Sequence, residues 1–393
     1  MQQGGLHGLR AIEMGQLIAG PFCGQLMGDH GAEVIKIEQP GEGDPMRSWG
    51  RGKPVWFPVI GRNKKCITLN LRTPRGQELA RALIQQSDFL IENFRPGTLE
   101  KWHLGFEQLR AIHRGLIMVR VSGYGQTGPY ASRAGYGSIG EAMGGMRYLA
   151  GDPSTPPSRV GLSIGDALAA TFACLGAMIA LNHRHQTGEG QVVDSAIYEA
   201  VLAMMESTVP EFTEAGVIRE RTGSILPKIA PSNVYKTSDG QILIGANQDS
   251  VWRRLAQCMG QAELGTDPRF ADHVARGEHQ AEIDALIEAW TSTLPTAVVL
   301  EKMHEGGVPA GQIYRAPEML TDPQFAQRQS LVKVPHPTFE NLWMQNVAPK
   351  LSQSPGVVAW PGAALGEHNE EIYGGLLGLG KSERDELKAQ GVI

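Results

Sequence analysis

RAIEMGQLIAGPFCGQLMGDHGAEVIKIE, Arg10 to Glu38, is the stretch that decides the fold. Arg10 to Met14 reads as a short strand. Gly15 to Gly20 makes a loop, and Pro21 suits the first turn of a helix running to about His30. Glu33 to Glu38 follows as a second strand, with Val34, Ile35 and Ile37 apolar. Strand, helix, strand over this length is a βαβ unit.

The same alternation continues outward. After a Gly- and Pro-rich loop from Gln39 to Pro54, Lys65 to Leu71 reads as a strand. Thr73 can cap the next helix, with Pro74 at its first position. Asp88 to Glu92 and Leu116 to Ser122 are further strands. Such alternation implies an α/β fold, a parallel sheet with helices on both faces. Residues 122 to 151 are glycine-rich and read as irregular. Long helices are expected from about Asp166 to His185 and from about Asp194 to Met205. The composition then shifts, with strands at Ser232 to Lys236 and Gly240 to Ala246 and three helices behind them. The expected division is a large domain over 1–224, a small α+β domain over 225–325, and a return to the large domain over 326–393.

The 393 residues are 41% hydrophobic and 20% charged, as in a water-soluble globular protein. A net charge of −5 gives no basic footprint for nucleic acid. The four cysteines, Cys23, Cys66, Cys174 and Cys258, are far apart and form no CxxC pair. That spacing favours a reduced, cytoplasmic protein without a zinc site. No signal peptide is evident at the N-terminus. Ala167 to Leu181 is the most apolar stretch, and it reads as a buried helix too short to span a bilayer. The eleven histidines form no metal-binding pattern.

Four features can carry chemistry. Gly15 to Pro21 is a strand-loop-helix junction of the kind that binds phosphates through backbone N–H groups, or simply a connecting loop. Arg62, Lys64 and Lys65, with Lys36, Arg72 and Lys101, are either cations for a polyanionic ligand or a solvated basic face. Asn93-Phe94-Arg95-Pro96-Gly97 follows a strand, where α/β sheets bind ligands, or is only a turn. Asp166, after Gly165, reads locally as an N-cap. It is also a candidate nucleophile, because a carboxylate can attack a thioester carbonyl to form a mixed anhydride.

Taken in order, the segments resemble the CaiB/BaiF family, the class III CoA-transferases. They include AGPFCGQLMGDHGAEVIKIEQPGEGDPMR, NKKCITLNLRTPRG, IENFRPGTLEKWHLGF, VSGYGQTGPYASRAGY, VGLSIGDALAATFACLGAMIAL and, near the C-terminus, LGEHNEEI. The resemblance implies an enzyme that moves CoA from an acyl-CoA to a carboxylic acid. It implies that Asp166 forms an aspartyl-acyl anhydride and then an aspartyl-CoA thioester. It places Gln16, Leu17, Ile18, Leu69, Arg72, Asn93, Phe94, Arg95, Lys101, Arg133 and Tyr136 at the CoA. It implies a CoA thioester as substrate, no permanently bound cofactor, a Rossmann-like large domain and an interlocked homodimer. No metal, nucleic acid or membrane partner is expected.

Members acting on formyl-CoA and oxalate carry Gln where Ile18 stands, and the glycine-rich loop of their small domain is missing here. TGSILPKIAPSNVYKTSDG, Thr222 to Gly240, is instead similar to members that use dicarboxylic acids, including succinyl-CoA-dependent ones. Arg221 beside it and Lys228 within it are cations for a second carboxylate, or solvated surface charges. α-Methylacyl-CoA racemases share the resemblance but carry His where Tyr136 stands. A non-catalytic CoA-binding protein is the third reading.

Overall fold

The computed structural model describes residues 3–393. Six strands, β1 (Arg10–Glu13), β2 (Glu33–Glu38), β3 (Lys64–Thr68), β4 (Phe89–Glu92), β5 (Ile117–Ser122) and β6 (Val192–Ala196), form one sheet in the order β3-β2-β1-β4-β5-β6. Every pairing is parallel, with Ile12 opposite both Ile35 and Leu90. Both faces of such a sheet must be covered, which is why its strands are almost continuously apolar. Successive residues point to opposite faces. Ala11, Val34, Phe89 and Ile117 therefore pack with Cys23 and Met27 of α1 (Ala19–Asp29). Ile12, Ile35, Leu90 and Met118 pack on the other face with Leu79 and Leu83 of α2 (Pro74–Ile84). Thr73 caps α2, accepting from the Gly76 N–H.

Two segments differ from expectation. The glycine-rich run contains a helix, α3 (Gly137–Met143). A Cβ on Gly140 or Gly144 would strike Ile197 or Val201, so these glycines permit helix approach rather than turns. The helix expected from Asp194 is instead β6 followed by α5 (Ile197–Leu202). Val192 and Val193 extend the sheet beside Met118 and Val119, and that edge decides the conformation.

Between them lies α4 (Ile164–Thr187), whose 24 residues are longer than the apolar stretch suggested. By length and composition α4 could cross a membrane. One face, Ala169, Ala170, Ala173, Ala177 and Ala180, is buried with α1 and the sheet. The other is open, with Leu175 53% and Ile179 62% exposed. The buried helix expected here is buried on one face only.

The free edge of β3 is closed by the C-terminal segment. The Cys66 N–H donates to His368 Nδ1 at 3.1 Å, and the His368 N–H returns to the Cys66 carbonyl at 3.0 Å. The Thr68 N–H donates to Asn369 Oδ1 at 2.9 Å, and Asn70 N–H to the Val392 carbonyl. Open edges invite pairing with other chains, so this cover has a purpose.

The chain divides into two units. The first comprises residues up to Arg147, then Val160–Gly216 and Ala326–Ile393; the second comprises Tyr148–Arg159 and Val217–Phe325. Residues 148–159 and 217–224 thus belong to the second unit rather than the large domain. Gly223 N–H bonds the Gly151 carbonyl, and Tyr148 hydroxyl donates to Glu220, which ties these pieces together. Within the second unit, strands β7 (Ser232–Lys236), β8 (Gln241–Gly245) and β9 (Ala310–Gln312) form an antiparallel sheet over a core of Trp252, Phe270, Ile283 and Ile287.

Candidate active site

In a sheet of this order, the strand sequence reverses between β1 and β4. The loops leaving those two strands open a crevice where α/β proteins take their ligands. Here the two loops are joined. The Asn93 carboxamide accepts from the Gln16 N–H at 2.8 Å and donates to the Gln16 carbonyl at 2.9 Å. A Cβ on Gly15 would come within 3.1 Å of the same carboxamide, so only glycine fits there comfortably.

A buried charge cluster holds the first loop from below. Lys36 donates to the Gly15 carbonyl at 2.8 Å and to Glu13 at 3.0 Å, and pairs with Asp44 at 2.9 Å. Asp44 accepts from the Leu17 N–H at 3.1 Å and the Met46 N–H at 2.9 Å. Leu17 sits at φ 63°, a strained conformation for a side chain of that size, and these bonds hold it there. Burial alone would depress the Lys36 ammonium, but Glu13 and Asp44 outweigh it and raise its pKa. Burial works equally against the Asp44 carboxylate, which Lys36 and the two N–H groups hold below its usual range. Lys64 also pairs with Glu13, at 2.7 Å, yet burial leaves its pKa lowered.

Four of the candidate cations are therefore committed to carboxylates of the protein. Besides Lys36 and Lys64, Arg62 is 2% exposed and bonds Asp29, and Lys65 bridges Glu33 and Glu371. For the three buried ones, Lys36, Arg62 and Lys64, neither a ligand-holding role nor a solvated face applies. Sequence reading could have found the cluster, because a lysine inside the apolar strand EVIKIE requires a buried partner.

Asp166 is not the N-cap. That position is Ser163, α4 begins at Ile164, and Asp166 lies within the first turn. Its carboxyl group is half-buried and rests against Gly137, the first residue of α3. A carboxylate in a first helical turn is favoured by the helix dipole.

The remaining residues divide by exposure. Arg72, Arg95, Lys101 and Arg133 are exposed, and the Arg133 guanidinium lies 3.6 Å over the Tyr130 ring. Tyr136, at the N-cap of α3, is 68% exposed and adjoins Gly137. Phe94 is half-buried, with its ring edge-on to Trp102 at 5.3 Å. Its N–H donates to Glu92, whose carboxyl burial pushes up to about 7 despite the neighbouring Arg120. Leu69 is 1% exposed with its side chain in the core, so only its backbone can face a ligand. The structure thus joins Gln16 with Asn93 and sets Asp166 beside Tyr136's neighbour. Leu69 and Arg72 follow β3, two strands across from β1. In the second unit, Arg221 donates to the Tyr148 carbonyl and Lys228 is exposed.

Sheet order and the crevice between β1 and β4 define a doubly wound α/β protein. The model of CoA-transferase family III matches residues 6–369, and the chain belongs to that family. It is 58% identical to the succinyl-CoA–D-citramalate CoA-transferase of Chloroflexus aurantiacus over 99% of this chain and 98% of that one. It is 39% identical to the beta subunit of the succinyl-CoA–L-malate CoA-transferase of the same organism, over 99% and 98%. The crystal structure of a CaiB/BaiF family protein from Brucella suis superposes with a TM-score of 0.86 at 33% identity, covering 95% of this chain and all of that one. The chain is accordingly a CoA-transferase acting on acyl-CoA and carboxylate substrates, and the racemase and non-catalytic readings fall.

Proposed function

We propose that the enzyme transfers CoA from succinyl-CoA to a 2-hydroxy dicarboxylic acid of the citramalate type, with Asp166 as nucleophile. The 58% identity to the D-citramalate enzyme over nearly the whole of both chains is the observation that carries the substrate pair. The Asp166 carboxylate attacks the thioester carbonyl, CoA leaves as thiolate, and an aspartyl-succinyl anhydride forms. The thiolate attacks the aspartyl carbonyl, releasing succinate and leaving an aspartyl-CoA thioester. The acceptor carboxylate attacks that thioester, giving a second anhydride and free thiolate. The thiolate then takes the acceptor's acyl carbon, and Asp166 is regenerated.

Gln16, Leu17 and Ile18 present backbone to the pantetheine, with Leu69 contributing backbone as well. Asn93 sets their loop, and Phe94 lies beside the ligand. Arg72, Arg95, Lys101 and Arg133 meet the phosphates, and Tyr136 borders the thioester. Exposed Leu175 and Ile179 on α4, with Leu162, Leu202 and Phe212, support a homodimer that covers them. Four cysteines, all free thiols, support a cytoplasmic setting.

The test is a matrix of acyl-CoA donors and acids, read by mass spectrometry of the CoA products. Succinyl-CoA with citramalate is expected to turn over fastest, and a faster monocarboxylate acceptor would overturn the assignment. Hydroxylamine with succinyl-CoA is expected to modify Asp166, and Asp166→Ala to lower kcat at least about 10³-fold.

A further inference from the structure

α3 meets its neighbours through glycines. Gly140 and Gly144 let it lie against Ile197 and Val201 of α5, and a Cβ on Gly165 would come within 2.9 Å of the Gly137 carbonyl oxygen. Gly137 is different in kind. The three atoms nearest to a Cβ built there all belong to the Asp166 carboxyl group, Cγ at 2.7 Å, Oδ1 at 3.0 Å and Oδ2 nearer still. Gly137 is not among the residues of positive φ, so its backbone does not demand glycine. The space above it does, because the carboxylate fills it.

We infer that Gly137 is a positioning residue for Asp166: its missing side chain seats the carboxylate on the α3 backbone and fixes its line of approach to the thioester. This rests on the reading of Asp166 as nucleophile. Attack requires reacting atoms about 3–3.5 Å apart, and a displacement of about 1 Å costs about a hundredfold in rate. A methyl group at Gly137 would force a displacement of that order.

Gly137→Ala is expected to lower kcat about a hundredfold while KM for succinyl-CoA changes less than about threefold. Gly144→Ala is crowded against Val201 and the Tyr198 carbonyl instead, and should lower Tm while leaving kcat within about threefold. Melting supplies a readout independent of turnover. In an Asp166→Ala background the obstructing carboxyl group is gone, so adding Gly137→Ala should cost far less Tm than it does in the wild-type chain. That comparison holds even if Gly137→Ala alone fails to fold. Equal Tm losses in the two backgrounds overturn the inference. So does unchanged kcat in Gly137→Ala when Asp166→Ala is inactive, and the nucleophile reading then survives. An active Asp166→Ala would overturn the reading itself.

Discussion

Two sets of cations in the unit that holds the parallel sheet have opposite fates. Lys36 and Lys64 are buried against Glu13 and Asp44, under the loop that carries Gln16 and Leu17. Arg72, Arg95, Lys101 and Arg133 stand exposed. The first set shapes backbone, and the second faces solvent. Charge alone does not decide where a cation ends up in this chain; the presence of a buried carboxylate partner separates the two.

The largest effect should come from the buried set. Lys36→Met leaves Glu13 and Asp44 without their shared cation, and breaking a buried pair costs about 3–5 kcal/mol. Urea unfolding measures this, and a loss below about 1 kcal/mol would break the contrast, since exposed charges are worth that little. In the exposed set, Arg95→Ala and Lys101→Ala should each raise KM for the acyl-CoA about tenfold, which is the weight of about 1.4 kcal/mol. Their stability should stay within about 0.5 kcal/mol of wild type, and the KM effect should shrink at high salt. A matching loss of stability would place these residues with the buried set.

Glu92 tests the border between the two sets. Burial raises its carboxyl pKa to about 7, above the ordinary value of about 4.3. The folded state therefore holds a proton that the unfolded chain has lost. Its contribution to stability is present at low pH and falls as pH rises through about 7. Between about pH 6 and pH 8 that loss is about 1 kcal/mol, and Glu92→Gln should remove it from the Tm profile. Parallel profiles for the two proteins would show that Arg120 holds Glu92 ionised throughout.

Much of this was legible in the sequence, for identifiable reasons. β1, β2 and β4 were readable because short apolar runs alternate with turn residues. β6 was not, because five residues gain their conformation from pairing with β5, which no local pattern records. α3 was hidden because its glycines serve packing yet look like loop. The role expected of Asp166 came only from the ordered family segments; its own neighbourhood suggested a cap, and the helix begins two residues earlier. The pairings of the buried cluster were not legible because the cations read as one basic group, while the carboxylates facing Lys36 and Lys64, Glu13 and Asp44, lie elsewhere in the sequence.

The seal on β3 has a consequence for how the protein is made. Thr68 and Asn369 are 301 positions apart, yet one supplies the edge and the other part of its cover. At about 5–20 residues per second, a ribosome needs roughly 15–60 s to pass from one to the other. Throughout that interval the nascent chain carries an exposed sheet edge beside those of its polysome neighbours. A β3 edge formed before Asn369 is made is open to strand pairing, so yield in a cell is expected to depend on what shields the unfinished chain.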